Sequence, residues 1–408
     1  MIRLSYIKDS NYDTIMTIKR IIGTNMTDNN VKKWIWQHDE YPHFKYDIKQ
    51  LTNILNSVEY NRGLLDGVSQ LFNDKDVTNI ELETLLDEAI STSEIEGEVL
   101  KRDSVRASLL KKLSNEFDTT KDTSTHQTDG LVDILIDTSI NKKPLTKERL
   151  HGWHNSLFLT GYSGLSKINI ATFRDHDDMK VVSGAIGQEK VHYLAVPKDA
   201  IDEDIDKLLQ WCNTSNDNTY IKSAIAHLWF VSIHPYDDGN GRIARAITDY
   251  ILSKQDAVHS KFKLYSISMA INNDRRGYYE ILDNTTNLFI NRNFDFTPWL
   301  LWHLNILNNA LLKANDNIKY VIQKTKFWDK HRNNNLNERQ VKVLNKVLNL
   351  GAENFEGGIN TKKYTSIVKK SKATVVRDIQ ELVEKKCIKQ VEGTSGRNVR
   401  YEINFDAL

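Results

Sequence analysis

The run His234-Pro235-Tyr236-Asp237-Asp238-Gly239-Asn240-Gly241-Arg242-Ile243-Ala244-Arg245 decides how this chain is read. It follows the apolar segment AIAHLWFVSI and leads into ARAITDYIL, so it joins two helices that must both be buried. Gly239 and Gly241 let the backbone turn sharply and gather its N–H groups without Cβ obstruction. At the start of a helix, such a turn is an anion nest. Arg242 and Arg245 are spaced i,i+3 and leave the first turn from one face. Two guanidiniums beside a nest suit a polyphosphate better than a single carboxylate. Asp238 offers a hard oxygen to a Mg²⁺ ion that bridges phosphates. His234, just upstream, has the side chain of a general base at neutral pH. Together these residues describe transfer of a phosphate-linked group to an acceptor.

Composition fits a helical setting for that loop. Of 408 residues only 5 are Pro and 18 Gly, where typical usage puts roughly twenty and nearly thirty. Helix interiors exclude Pro, and Gly weakens them. The fold class expected is mainly α with few long loops. Lys and Arg number 55 against 54 Asp and Glu, which argues against a uniformly basic nucleic-acid coat and against an acidic tail. Cys212 and Cys387 are far apart and form no CxxC pair, so a disulfide framework is excluded. With no apolar run near the roughly 18 residues of a membrane span, the expectation is a cytoplasmic protein without a membrane partner.

The loop resembles the motif of the Fic family, HxFx[DE]GNGRxxR, with Tyr236 in place of the usual Phe. That resemblance implies a protein adenylyltransferase, which moves AMP from Mg-ATP to a Ser, Thr or Tyr hydroxyl of a target protein, the chain itself included. His234 would take the hydroxyl proton and Asp238 would hold Mg²⁺. Gly239, Asn240, Gly241 and Arg242 would cradle the phosphates, and Arg245 would reach the γ-phosphate. Some family members remove AMP or use another nucleotide, and the motif does not separate these. The segment HGWHNSLF, from His151 to Phe158, looks like a family core helix, and its two histidines read as helix packing. The stretch around Lys180 to Val196 alternates β-branched residues and reads as a hairpin. It resembles the family's flap, whose edge residues Val191, His192, Tyr193 and Leu194 would dock a target segment by strand addition. Tyr278 and Tyr279 match a position where family aromatics contact adenosine.

A helix expected near residues 77–100 carries Leu82, Leu85, Leu86 and Ala89 as its apolar stripe, with Glu96 nearly in line. A carboxylate aimed at a core needs a cationic partner. The run Thr92-Ser93-Glu94-Ile95-Glu96-Gly97 resembles the family's inhibitory motif [ST]xxxE[GN]. The resemblance implies that Glu96 pairs with Arg245 and keeps ATP from binding productively.

The chain divides on this reading into an N-terminal family-associated domain over 1–75, whose first 25 residues look like an extra arm or a misplaced start. An inhibitory helix and loop follow over 76–130, then a catalytic core over 131–330 and a winged-helix domain over 331–408. Residues 113–130 are polar and read as loop, and helix is expected from Leu131 onward and from Asn273 to about Trp328. Between Thr361 and Arg400 there are eleven Lys and Arg against four Asp and Glu. Ser371 reads as an N-cap, with Lys372, Thr374 and Arg377 on the first turns of a recognition helix, which offers DNA as a partner. A DNA-binding regulator whose core senses nucleotide is therefore the rival reading. Family likeness also offers a homodimer.

Overall fold

The chain is mainly helical, with a few short strands, in a computed structural model that describes residues 17–20, 32–72, 74–113, 122–177, 179–183, 190–255, 261–350, 355 and 357–406. Strand β1 (Thr17–Arg20) lies in the expected N-terminal arm, whose other residues fall outside the described ones. Helix α1 (Ile48–Ser69) starts at Asp47, whose carboxylate accepts from the Lys49 N–H. Then come α2 (Asp74–Ile95), α3 (Arg102–Leu113), α4 (His126–Ile140) and α5 (Lys147–Leu157). Helix α4 begins earlier than its apolar pattern suggests. Thr125 caps it by accepting from the Thr128 N–H, and the polar run from His126 to Asp129 is its first turn rather than loop.

Two short strands, β2 (Tyr162–Ser163) and β3 (Ser166–Lys167), form a small hairpin. Strands β4 (Met179–Ser183) and β5 (Lys190–Leu194) pair antiparallel, and the residues joining them lie outside the described ones. In the sheet order β1-β4-β5, strand β5 keeps one open edge. Trp34, Met179, Tyr193 and Ala195 pack together beneath it.

Helices α6 (Lys198–Thr214), α7 (Thr219–Ile233) and α8 (Asn240–Ser253) follow. The Asn218 side chain caps α7 by accepting from the Tyr220 and Ile221 N–H groups. Helix α7 is buried almost all round, from Tyr220 to Ile233, and α8 is buried along nearly its whole length. A helix apolar or buried on every side belongs at the centre of a fold. Accordingly α7 and α8 form an antiparallel hairpin with α4, α5, α6 and α2 around it. Helix α9 (Ile267–Asn273) is short and capped by Ser266. The helices expected from Asn273 to about Trp328 are α10 (Arg275–Thr286) and α11 (Thr297–His331). The break between them is chemically reasonable: Pro298 sits in the first turn of α11, where its missing N–H costs nothing.

The chain separates into two compact units, Met1–Ala314 and Asn315–Leu408. In the second unit, α12 (Glu338–Leu350), α13 (Thr361–Val368) and α14 (Lys372–Glu384) precede an antiparallel pair, β6 (Ile388–Gln390) and β7 (Tyr401–Ile403). Val343, Leu344, Tyr364, Val375, Leu382 and Ile388 are among the residues of its core. Among the described residues, no helix is long and apolar enough to cross a membrane.

Candidate active site

Helix α7 ends at His234, which takes a left-handed backbone with φ 52° and donates its N–H to the Phe230 carbonyl. A non-glycine residue rarely adopts this conformation, and such strain collects at functional sites. The turn aims the imidazole away from the helix. Its Nδ1 lies 3.1 Å from the Val231 carbonyl and must donate there, so the lone pair is on Nε2. Nε2 is buried and has no hydrogen-bond partner among the described residues. Burial lowers the His234 pKa to about 4, so the ring is neutral at physiological pH. A neutral imidazole with a fixed tautomer and a free Nε2 is equipped to accept a proton.

The loop after His234 is held from several sides. Arg174 is buried, donates its Nε to the His234 carbonyl at 3.0 Å, and bonds the Val196 carbonyl through Nη2. Its backbone N–H donates to the Pro235 carbonyl at 2.8 Å. The Asn240 side chain is spent inside the loop, where Oδ1 accepts from the Tyr236 N–H and Nδ2 donates to the Tyr236 carbonyl. What Asn240 can offer a phosphate is therefore its backbone N–H, not its amide. His154 stacks on Tyr236 with ring centroids 4.1 Å apart. Since the Ala171 N–H donates to His154 Nδ1, Nε2 carries the proton and donates to the Asp238 carbonyl. The Tyr236 hydroxyl, absent from a Phe, finds His151 Nδ1 at 3.0 Å. Both histidines thus support the loop.

Gly239, with φ 80°, is the N-cap of α8, and the first N–H groups of the helix have no carbonyl partner within it. The Glu96 carboxylate lies beside this first turn. A Cβ added to Gly241 would lie 2.2 Å from Glu96 Oε1, so only glycine lets the carboxylate rest against the backbone. The same Oε1 accepts from Arg245 Nη2 at 2.7 Å. Arg245 Nε donates to the Thr92 hydroxyl at 2.8 Å, and Nη2 also reaches the Thr92 carbonyl. Burial disfavours the Arg245 charge, but Glu96 outweighs it and the net pKa is raised. Arg242 is buried too, and its Nη1 pairs with Glu98 Oε2 at 2.8 Å.

A cleft with about 670 Å³ of open space adjoins these groups, lined by Glu96, His234, Gly241, His192, Tyr278 and Asp283 among others. Tyr278 is buried, and its hydroxyl lies 2.9 Å from His227 Nε2. The Tyr279 hydroxyl donates to the Ile95 carbonyl at 2.8 Å, which ties this wall to the end of α2. On β5, Tyr193 donates its hydroxyl to the Ser232 carbonyl and His192 pairs with Asp283 at 3.1 Å. Val191 and Leu194 pack on the Trp34 cluster. The Leu194 carbonyl is taken by Trp36 Nε1 at 2.8 Å, which occupies one acceptor at that end of β5.

Asp238 accepts from the Gly239 N–H at 2.6 Å through Oδ1 and from the Ser163 hydroxyl through Oδ2. Both partners are neutral donors, and each carboxylate oxygen keeps lone-pair capacity. Among the described residues, no group of three or more His, Cys, Asp or Glu is placed to hold a metal. One carboxylate fits Mg²⁺, which is commonly held by one or two carboxylates together with substrate phosphates and water.

Burial depresses several imidazoles together: His154 and His234 to about 4, His303 to about 3, and His227 well below its ordinary value. In the unfolded chain they titrate near ~6.5. The unfolded state therefore binds more protons below that pH, so the stability these groups hold at neutral pH is lost as pH falls toward their folded values. Glu81 and Asp87, raised by burial, oppose this in part. Melting temperature is expected to be level from pH 8 to 7 and to drop steadily from 6.5 toward 4.5. An unchanged melting temperature between pH 7 and 5 would contradict the assignment.

Of the expected site residues, Glu96, His234, Gly241, His192, Tyr193, Tyr278 and Tyr279 line this cleft, and Arg245, bonded to Thr92, meets Glu96 at its edge. Sequence reasoning did not single out Glu98 or Asp283, and it gave His227 no role in the site. Only Glu98 had a local signal, an acid two places beyond Glu96 across a glycine.

A buried helical hairpin, with the neutral His234 imidazole and the Glu96–Arg245 pair beside its connecting loop, forms the centre of this domain. Residues 144–252 match the Fic/DOC family model, and residues 34–114 match a domain of unknown function (DUF4172). The chain carries a Fic/DOC family domain, of a family typically made up of AMP-transferring or related transferases. Among solved structures it is similar to a Fic family protein from Desulfovibrio desulfuricans, with 16% identity, 88% of this chain and 97% of that one covered, and a TM-score of 0.52. A Fic domain containing signaling protein from Bacteroides thetaiotaomicron matches at 17% identity over 64% and 95%, with a TM-score of 0.48. Fic-1 from C. elegans matches at 17% over 66% and 73%, with a TM-score of 0.45.

Proposed function

We propose that the protein is a Fic-type adenylyltransferase that moves AMP from Mg-ATP to a protein hydroxyl, and that Glu96 holds it inactive. The observation that carries this reading is the Glu96 carboxylate on Arg245, pressed against the Gly241 backbone at the start of α8. An anion site already filled by an internal carboxylate is a site built for an anion and blocked on purpose. With Glu96 displaced from Arg245 and Glu98 from Arg242, the α8 N–H groups and both guanidiniums are free to neutralise a triphosphate. His234 Nε2 removes the proton of the target hydroxyl, whose oxygen bonds to the α-phosphorus as pyrophosphate leaves in line. Asp238 and the phosphates would hold Mg²⁺, which supplies charge neutralisation on the triphosphate. The open edge of β5 lies next to the cleft and suits an extended target segment.

Intact-mass spectrometry of the chain and of lysate proteins after incubation with Mg-ATP tests this. A gain of one AMP supports it, and no nucleotide on any protein, from wild type or Glu96→Gly, counts against it. AMP removal from a modified target uses the same anion site and is read in the same spectra.

The second unit supports an additional partner. Three helices followed by an antiparallel strand pair are the winged-helix order. Ser371 caps α14 by accepting from the Thr374 N–H, and Lys372 and Arg377 are exposed on its first turns. This module would bind duplex DNA through phosphates. Affinity for generic duplex is then expected to fall by about a hundredfold or more between 50 and 200 mM salt. Binding that ignores salt, or no binding at low salt, argues for a protein partner instead.

A further inference from the structure

Helix α2 does not simply end near the site. The Gly97 N–H donates to the Glu94 carbonyl at 2.9 Å, and the Glu98 N–H donates to the Ser93 carbonyl at 2.9 Å. These are the two crossed bonds of a Schellman cap, with Gly97 as its left-handed residue at φ 81°. Glu96 and Glu98 therefore flank one fixed turn. Both are acids at a helix C-terminus, where the dipole disfavours negative charge unless cations face them. The cations are supplied by the first two turns of α8. Glu96 takes Arg245 at 2.7 Å, and Glu98 takes Arg242 at 2.8 Å. Glu98 is steadied from a third helix, since Gln127 Nε2 at the start of α4 donates to it at 3.2 Å. Arg242 lies over the Phe158 ring at 5.0 Å and has its Nε unpartnered. Glu98 is thus the group that satisfies its charge.

We infer that Glu98 is a second jaw of the brake, which occupies Arg242 as Glu96 occupies Arg245. The inference rests on the proposed nucleotide site. Each jaw takes one of the two guanidiniums that the phosphates need, so nucleotide must displace two carboxylates carried on one cap. The jaws differ in what they oppose. Arg242 belongs to the first turn around the nest, so Glu98 competes with any nucleotide phosphate. A nucleoside diphosphate should feel it as strongly as a triphosphate. Gly97 couples the two, because the turn that orients Glu98 is the turn that ends the helix at Glu96.

The test is ADP binding by calorimetry to the full-length protein carrying Glu98→Gln, a change that keeps side-chain shape and removes charge. ADP is expected to bind about tenfold more tightly than to wild type. Gln127→Ala leaves the Glu98 charge and loosens its support, and about a two- to threefold gain is expected from weakening one hydrogen bond. Melting curves confirm that both variants are folded. Equal or weaker ADP binding in Glu98→Gln overturns the second jaw. Transfer by Glu96→Gly, measured alongside, separates the two ideas. If Glu96→Gly raises transfer while Glu98→Gln leaves ADP binding unchanged, only the Glu96 brake stands. If ADP binding tightens while Glu96→Gly changes nothing, the jaw stands as a competitor for nucleotide without that brake.

Discussion

Replacing Glu96 by glycine is expected to raise AMP transfer between about 5- and 150-fold, the span that 1–3 kcal/mol of coupling provides. Glu96 is the only carboxylate that bonds the Arg245 guanidinium among the described residues. Removing it leaves Arg245 with its bonds to Thr92 but without a carboxylate, and clears the α8 backbone at Gly241. Both changes open the seat of the terminal phosphates. The same substitution has a cost, because a buried cation loses its counter-charge, which typically destabilises by about 3–5 kcal/mol. The melting temperature should therefore fall as activity rises. Mg-ATP should restore part of it, since a ligand that binds only the folded state stabilises in proportion to its occupancy. Transfer is read as labelled AMP in the chain or in lysate proteins. Equal incorporation by wild type and variant would remove Glu96 from any inhibitory role. By contrast, the exposed pairs of Arg102 with Glu83 and Asp87, which join α3 to α2, are of the kind worth about 1 kcal/mol or less. Their loss should leave the brake in place.

What could be read from residues alone follows the range of each interaction. The loop from His234 to Arg245 is a local pattern, and its chemistry needs only neighbours in sequence. Its surroundings are not local. Glu98 meets Arg242 across 144 positions, and Arg174 meets the His234 carbonyl across 60. Asn240 shows the limit from the other side, since its identity was legible but its amide serves the loop rather than a ligand. Glu96 was expected in line with the stripe of Leu85 and Leu86, yet it lies past the end of α2, where the cap at Gly97 presents it. Periodicity pointed to the correct residue through a geometry that the helix does not have there. Short or polar elements were the hardest. Helix α9 is seven residues long, too short for a 3.6-residue period to stand out. The first turn of α4 is polar because capping turns are polar. That the aromatic segment near Trp34 lies on β5 and bonds the Leu194 carbonyl required the fold.

His234→Ala is expected to lower transfer by about 10²–10⁴-fold, the usual worth of a positioned general base. The Glu96→Gly background gives the largest signal in which to see this. Three observations set the size. Nδ1 is tied to Val231, so the ring cannot rotate away and Nε2 is the only nitrogen free to act. Burial holds the ring neutral, so almost all molecules carry the base form at neutral pH. The left-handed turn at His234 aims the ring into the cleft rather than along α7. Alanine at this φ is somewhat strained, and its effect on folding is checked by the melting temperature. ADP affinity supplies a second control, because the imidazole is not among the phosphate-binding groups and its removal should leave affinity within about threefold. A loss of transfer with ADP affinity kept marks His234 as acting on the acceptor hydroxyl. A loss of both would mean that the loop collapsed. Transfer that persists unchanged would exclude His234 as the base, whereas no transfer by either His234 form would favour the rival in which the core senses nucleotide for the C-terminal unit. In that rival, His234→Ala should alter duplex binding by Lys372, Thr374 and Arg377, a dependence that the enzyme reading does not require.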